Sequence, residues 1–362
     1  MIGFVRELVG VLAKDRARYS HALRSDSRHD NGDPAWLRLC NRNERLVANS
    51  QGAGVSCDWT GSSRLHACGV IPSWGKRLCN IAFTQWPIEF AKTPVSTAGP
   101  KVSFIFAFRG GARLEHLNKV IESIFGQRDA QVSCIVVDLS VNSNQDELPS
   151  QVQYHHVATG HLDEGWYKSW AYNLGANATE ADTLVFHDGD ICVPNRYAAE
   201  IATHLQENDF QTASIQRYLF YLNQSETKLI FQGSELADCT PEVVLQNWTG
   251  GTIAIRRDAF FQIGGFDEGF VDWGGEDGEF FDRCSSLRQT AFGYIPMVHL
   301  WHESQPGRRK VDNPNTKFVL PERLAIPREQ RIEELSARNW GHLDGPAPAN
   351  SYKSRFQTGA ES

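Results

Sequence analysis

The chain has 362 residues, 41% of them hydrophobic and 22% charged, with 30 glycines and 15 prolines. That suits one large domain or two ordinary ones of about 100–200 residues, with a core that needs no disulfide or metal staple, and it excludes a disordered, collagenous or low-complexity chain. With 36 basic against 43 acidic residues the net charge is −7, a balance that weighs against general nucleic-acid binding.

At the start of the chain Ile2, Val5, Leu8, Val9 and Leu12 recur at helical spacing. Arg6, Glu7, Lys14 and Asp15 interrupt the apolar run and no small-residue cleavage site follows, which argues against a signal peptide. Two readings stand: an amphipathic helix packed on the domain, or a helix lying peripherally on a membrane surface. No stretch approaches the roughly 18–20 apolar residues of a membrane span. Eight cysteines are scattered without a C-x-x-C pair, although Cys57, Cys68 and Cys79 recur every eleven residues. Reduced thiols in a cytoplasmic protein are the expectation, with a disulfide or metal role as the minor alternative. Residues 1–99 otherwise lack a clear period and close on the Pro/Gly/Ser-rich run Thr93–Pro100, so they read as an N-terminal extension of uncertain structure.

The pattern sharpens after residue 100. Val102–Phe108 is a near-continuous apolar run, as in a strand buried on both faces. Leu114, Leu117, Val120, Ile121, Ile124 and Phe125 are spaced as a helix that Gly126 stops. Val132–Asp138 reads as a second buried strand, a third element starts near Val152, Trp166–Asn177 reads as a helix, and Thr183–His187 as another strand. Strands alternating with helices predict an α/β domain over 100–343 with a mainly parallel central sheet flanked by helices. Residues 344–362, rich in Pro, Ala, Asn, Ser and Gly, read as a loose tail.

Two nucleotide motifs fail. Between Gly69 and Gly75-Lys76 the spacing is one residue too long for a P-loop and Arg77 stands where a hydroxyl should bind magnesium, while no G-x-G-x-x-G follows the first strand. Three other features carry chemistry. Phe186-His187-Asp188-Gly189-Asp190 delivers two carboxylates to the C-terminal end of a strand, where open α/β sheets bind ligands; such oxygens suit Mg²⁺ or Mn²⁺ bridging a diphosphate. Trp248-Thr-Gly250-Gly251, Gly264-Gly265 and Trp273-Gly274-Gly275-Glu276-Asp277 combine aromatic rings, close backbone approach and adjacent acids at a helix start; an acidic cap favoured by the helix dipole is the bland alternative. His299 and His302, three apart and following a predicted strand, complete a metal site in which His302 is the stronger candidate ligand.

Taken together, residues 101–320 resemble the GT-A fold glycosyltransferases of the galactosyltransferase and N-acetylgalactosaminyltransferase group, which includes bacterial polysaccharide polymerases and the β-1,4-galactosyltransferases. The resemblance implies a nucleotide-diphospho-sugar transferase fold and sets the following roles. Ala107-Phe108-Arg109 stands for the family's nucleotide-holding turn, without its proline, and Arg113 follows; Asp138 matches the acid that contacts uridine; Lys168 replaces the usual arginine ahead of Asn173-Leu174-Gly175. Asp188 and Asp190 form the Asp-x-Asp metal motif, with Asp190 the more direct ligand, and His302 is the metal histidine, with Asn313-Pro314-Asn315 following as in the family. Asp277 is the general base, Glu276 and Trp248 bind acceptor, and Asp188, Gly251 and Trp273 join the donor site. The implied activity is metal-dependent transfer, with Mn²⁺ or Mg²⁺, of a hexose or N-acetylhexosamine from a UDP-sugar to a glycan or lipid-linked glycan, with inversion, in glycan or surface polysaccharide synthesis.

The chemistry agrees with this: sugar transfer needs cations for the leaving diphosphate, a carboxylate for the acceptor proton and rings for sugar faces. Two rivals remain. A carbohydrate-binding relative without turnover has no need of a base beside the metal motif, and a sugar nucleotidyltransferase needs a longer glycine-rich loop than Gly110-Gly111.

Overall fold

A computed structural model of the protein describes residues 2–28, 32–157, 165–248, 250–303 and 313–343; the expected tail 344–362 lies outside them. The centre is a seven-stranded sheet. Lys101–Phe108 lies between Thr183–His187 and Gln131–Asp138, parallel to both, and Gln153–His156 extends the sheet in parallel beyond Gln131–Asp138. On the other side Thr252–Arg256 runs antiparallel to Thr183–His187, followed by Thr212–Ala213 and Gln289–Thr290 at the edge. The expected strands at 102–108, 132–138 and 183–187 and the helices Leu114–Phe125 and Lys168–Asn177 are present, and the element near Val152 is the strand Gln153–His156. This is the mainly parallel α/β sheet of the GT-A fold.

The apolar runs follow from burial on both faces. In the first strand Val102, Phe104, Phe106 and Phe108 enter one hydrophobic cluster, while Ile105 enters another on the opposite face. The first cluster contains the helix Leu114–Phe125 and also Val11, Tyr19, Trp36, Leu78 and Phe83 from the first hundred residues. That region forms the helices Ile2–Ala22 and Pro72–Gln85, a small hairpin (Leu46–Ala48 with Val55–Cys57) and the strand Ser63–Arg64. The strand joins the edge of a second, five-stranded sheet ordered Ser63–Arg64, Val243–Gln246, Gln216–Tyr221, Ile295–His299, Ile191–Cys192. The absence of a sequence period there has a physical cause: the segment packs through short elements and scattered anchors such as Trp36, whose indole donates to Gln85 Oε1 at 2.9 Å.

All eight cysteines are free thiols, seven of them buried. Burial pushes Cys57 up to about 11 and Cys68 up to about 12, so neither offers a thiolate for metal or disulfide chemistry. No helix among the described residues is long and apolar enough to cross a membrane.

Candidate active site

The site lies where the chain passes from one sheet to the other. Thr183–His187 ends in the large sheet, Asp188-Gly189-Asp190 turns, and Ile191–Cys192 enters the second sheet antiparallel to Ile295–His299, with Ile191 opposite His299. Leu300 N donates to the Asp190 carbonyl at 2.9 Å. This register brings a carboxylate and two histidines from distant sequence together. Asp190 Oδ1 lies 3.7 Å from His299 Nε2, and Asp190 Oδ2 lies 3.0 Å from His302 Nε2 and 3.4 Å from Arg113. Ligand atoms of Asp190, His299 and His302 all fall within 4.8 Å of one another. Asp190 Oδ1 and His302 Nε2 are buried without a hydrogen-bond partner. One carboxylate and two imidazoles that converge this closely could share a divalent cation. Burial opposes ionisation of Asp190, but His299, His302 and Arg113 outweigh it and hold the carboxyl well below the usual range.

The second half of the site is built on the helix Glu276–Cys284. Gly274 and Gly275 precede it at φ +101° and +92°, and a Cβ on Gly275 would come within 2.8 Å of the Phe270 ring, so glycine is required there. Phe280 of this helix stacks on Phe266 at 4.0 Å, and Phe266 meets Phe186 edge-on at 4.9 Å. The helix Glu276–Cys284 and the strand leading to Asp188 therefore rest on one aromatic cluster. A buried Glu279–Arg283 pair at 2.7 Å, joined by Arg331 at 2.6 Å, ties the helix to the C-terminal helix Arg328–Ser336.

Lys168 opens the helix Lys168–Asn177 and reaches Asp188 at 3.3 Å, Glu276 at 3.4 Å and Asp277 at 3.5 Å. Gly175 lets this helix close on the first strand, because a Cβ there would meet Ile105 at 2.3 Å. Asn173 exchanges hydrogen bonds with the Phe266 backbone, N to Oδ1 at 2.8 Å and Nδ2 to O at 2.9 Å. Burial alone would discharge Lys168; Asp188, Asp277, Tyr172 and Glu276 outweigh it and hold the ammonium well above the ordinary lysine range. At Asp277 the balance goes against the charged form. Burial raises its pKa to about 7, with Glu276 and Asp188 adding to the rise and Lys168 opposing it. Its side chain keeps 29% of its surface open, so the carboxyl remains reachable from the cleft. Glu276 is buried and its Oε2 has no hydrogen-bond partner.

The other expected residues separate into those facing the cleft and those inside the fold. Gly250 and Gly251 have φ of +100° and +73°; a Cβ on Gly250 would lie 3.2 Å from Asp277, and one on Gly251 would meet Ile191 at 2.6 Å, with Asp188 at 3.8 Å. Trp248 has a buried indole N–H without a partner, and Trp273 is exposed. Asp188 turns from the ligand cluster toward Lys168 and the Tyr172 hydroxyl, which donates to it at 3.3 Å. Arg109 donates to the Gly165 carbonyl at 2.6 Å. Phe108 lies in the core beneath the cleft. Asp138 is fully buried: Ser140 N at 2.8 Å, Ser140 Oγ, Asn144 at 2.7 Å and Tyr154 at 2.7 Å all donate to it.

Sequence reasoning missed two contributors. Tyr172 lies one helical turn beyond Lys168, so its i, i+4 spacing was a usable signal. Tyr221 stacks on His299 at 4.2 Å from a neighbouring strand of the second sheet, a contact without a local signal. Asn313 donates to the Trp273 carbonyl at 2.8 Å and Asn315 to the Val271 carbonyl at 2.8 Å, gripping the loop that leads to Glu276 and Asp277.

Comparisons with known proteins find glycosyltransferases. The family model described as Glycosyl transferase family 2 matches residues 111–264, and one described as the N-terminal domain of galactosyltransferase matches residues 233–297. A curated relative, 4,4'-diaponeurosporenoate glycosyltransferase of Staphylococcus haemolyticus, is 27% identical over 139 residues, covering 37% of this chain and 36% of the relative. The chain thus spans about a third of that relative's length. It has the GT-A glycosyltransferase fold and resembles the galactosyltransferase group, as the sequence motifs implied.

Proposed function

We propose that the protein is a metal-dependent glycosyltransferase that moves a hexose or N-acetylhexosamine from a UDP-sugar to a carbohydrate hydroxyl with inversion. The observation that carries this reading is the pairing, on either side of the Asp188–Lys168 contact, of an Asp190 held ionised facing two histidines with an Asp277 whose pKa is raised to about 7. Asp190, His299 and His302 would hold the divalent ion, which when bound takes up negative charge on the departing diphosphate. Asp188, Gly251 and Trp273 stand on the donor side, with Phe108 and Asp138 shaping the floor and loop beneath it.

The protein's own groups then do the following. Glu276 and Trp248, each with an unbonded buried polar atom, orient the acceptor. Asp277 takes the proton from its hydroxyl, and the oxygen forms a new bond to the anomeric carbon while the carbon–oxygen bond to UDP breaks, its electron pair leaving with the diphosphate. Attack opposite the leaving group converts an α-linked donor into a β-linked product. Lys168 stays protonated and, with Arg109 and Arg113, offers positive charge to the leaving group.

The test is a screen of purified protein against UDP-galactose, UDP-GalNAc, UDP-GlcNAc, UDP-glucose and UDP-glucuronate, following UDP release with Mn²⁺ and with EDTA. NMR of the product's anomeric proton completes it. Turnover of one donor, silenced by EDTA and giving a β-linked product, is expected. Release that is indifferent to EDTA, or an α-linked product from an α-linked donor, contradicts the reading.

A further inference from the structure

The helix Ile2–Ala22 has a broad apolar sector, and its packing on the domain uses only part of it. Leu8, Val11, Tyr19 and Ala22 turn inward, with Tyr19 stacked on Trp74 at 4.7 Å. Buried Asp15 on the same side accepts from Arg18 at 2.9 Å and from Arg42 at 2.5 Å. Phe4, Val5, Val9 and Leu12 are 56%, 53%, 59% and 43% exposed. Val5, Val9 and Leu12 are spaced i, i+4, i+7 and form one stripe. Four of the twelve exposed large hydrophobic residues among the described residues therefore fall within nine positions of one helix. The inner face already secures the helix, so the outer stripe has no use in folding.

Charge selects the occupant. Arg6, Lys14 and Arg16 are exposed on this helix against a single exposed acid, Glu7, in a chain whose net charge is −7. A second copy docking through the same face would set these cations against their own equivalents. An anionic lipid surface accepts both features: the apolar stripe enters the acyl boundary, and Arg6 and Arg16 beside it meet the headgroups. We propose that the outward face of Ile2–Ala22 docks the protein on an anionic membrane surface. The inference is independent of the proposed sugar transfer.

The experiment is co-sedimentation of the full chain with vesicles of phosphatidylcholine alone and of phosphatidylcholine mixed with phosphatidylglycerol, at low and high salt. Binding to the anionic vesicles, weakened by salt and much weaker on the neutral ones, is expected, and this arm needs no variant. Val5→Glu/Val9→Glu should lower partitioning at least about tenfold, and Arg6→Glu/Arg16→Glu by about fivefold or more per reversed cation, with far-UV circular dichroism and melting unchanged. No binding to anionic vesicles, equal binding to neutral ones, or equal binding by the folded variants overturns the proposal. So does a wild-type dimer in sedimentation velocity that Val5→Glu/Val9→Glu makes monomeric, which assigns the stripe to a second copy.

Discussion

Asp190 and Asp277 lie on either side of the Asp188–Lys168 ion pair and are driven in opposite directions. Asp190 faces two imidazoles and a guanidinium, and this positive surround outweighs its burial. Asp277 shares one ammonium with two other carboxylates, so Lys168 cannot offset burial and like charge together. Under the proposed mechanism the difference lets one residue type do two jobs. A carboxylate held ionised serves as a ligand, and one poised near the working pH serves as a proton acceptor. What separates them is the count of charges within about 4 Å, set by the elements that meet at each end of the cleft.

The comparison breaks most completely at Asp190. Asp190→Ala should abolish transfer and Mn²⁺-dependent binding of UDP, with the far-UV spectrum unchanged; full activity of this variant in EDTA refutes the metal half. Below that in size, His302→Ala and His299→Ala should each raise the Mn²⁺ concentration needed for half-maximal rate, by about 10–100-fold for the loss of a ligand or its support. His302 stands 3.0 Å from Asp190 against 3.7 Å for His299, so its loss should be the larger. Equal and negligible effects would make both histidines core residues.

The base half sharpens through pH. Asp277 acts as the carboxylate, so kcat/KM at saturating Mn²⁺ should be level above about pH 7 and fall about tenfold per unit below it. A rate that stays level down to about pH 4, the range of an ordinary aspartate, shows that this carboxyl is not the proton acceptor. The smallest effect is expected at the loop. Asn315→Ala removes its donor to the Val271 carbonyl, which should lower kcat about tenfold through misplacement of the base while leaving the KM for donor nearly unchanged. A change in KM alone would place Asn315 in donor binding instead.

Much of the central sheet was legible because its strands are apolar on both faces and its helices keep strict spacing, as at Leu114–Phe125. The site's ends were legible as motifs: Asp188-Gly189-Asp190 follows a strand, and Trp273–Asp277 opens a helix. What joins them was not. That Asp190 meets His299 depends on the register of Ile191–Cys192 against Ile295–His299, and that Lys168 touches three carboxylates depends on two helices converging. Asp138 shows the converse. Its position at a strand end matched a ligand contact, yet the loop that follows folds back and occupies both its oxygens with Ser140, Asn144 and Tyr154. Beyond the spaced residues of the first helix, most of residues 23–71 gave no period because short elements and single anchors such as Trp36 bind them to the core.

The measurement that bears most directly on this division of labour pairs two readouts on Asp277→Asn. The variant is nearly isosteric but accepts no proton at neutral pH. UDP binding in the presence of Mn²⁺, followed by calorimetry, should match the wild type within a few-fold, while kcat falls by about 10²–10⁴. Wild-type turnover in this variant, or loss of UDP binding together with turnover, would contradict a cleft in which Asp190 and its histidines hold the donor and Asp277 takes the proton.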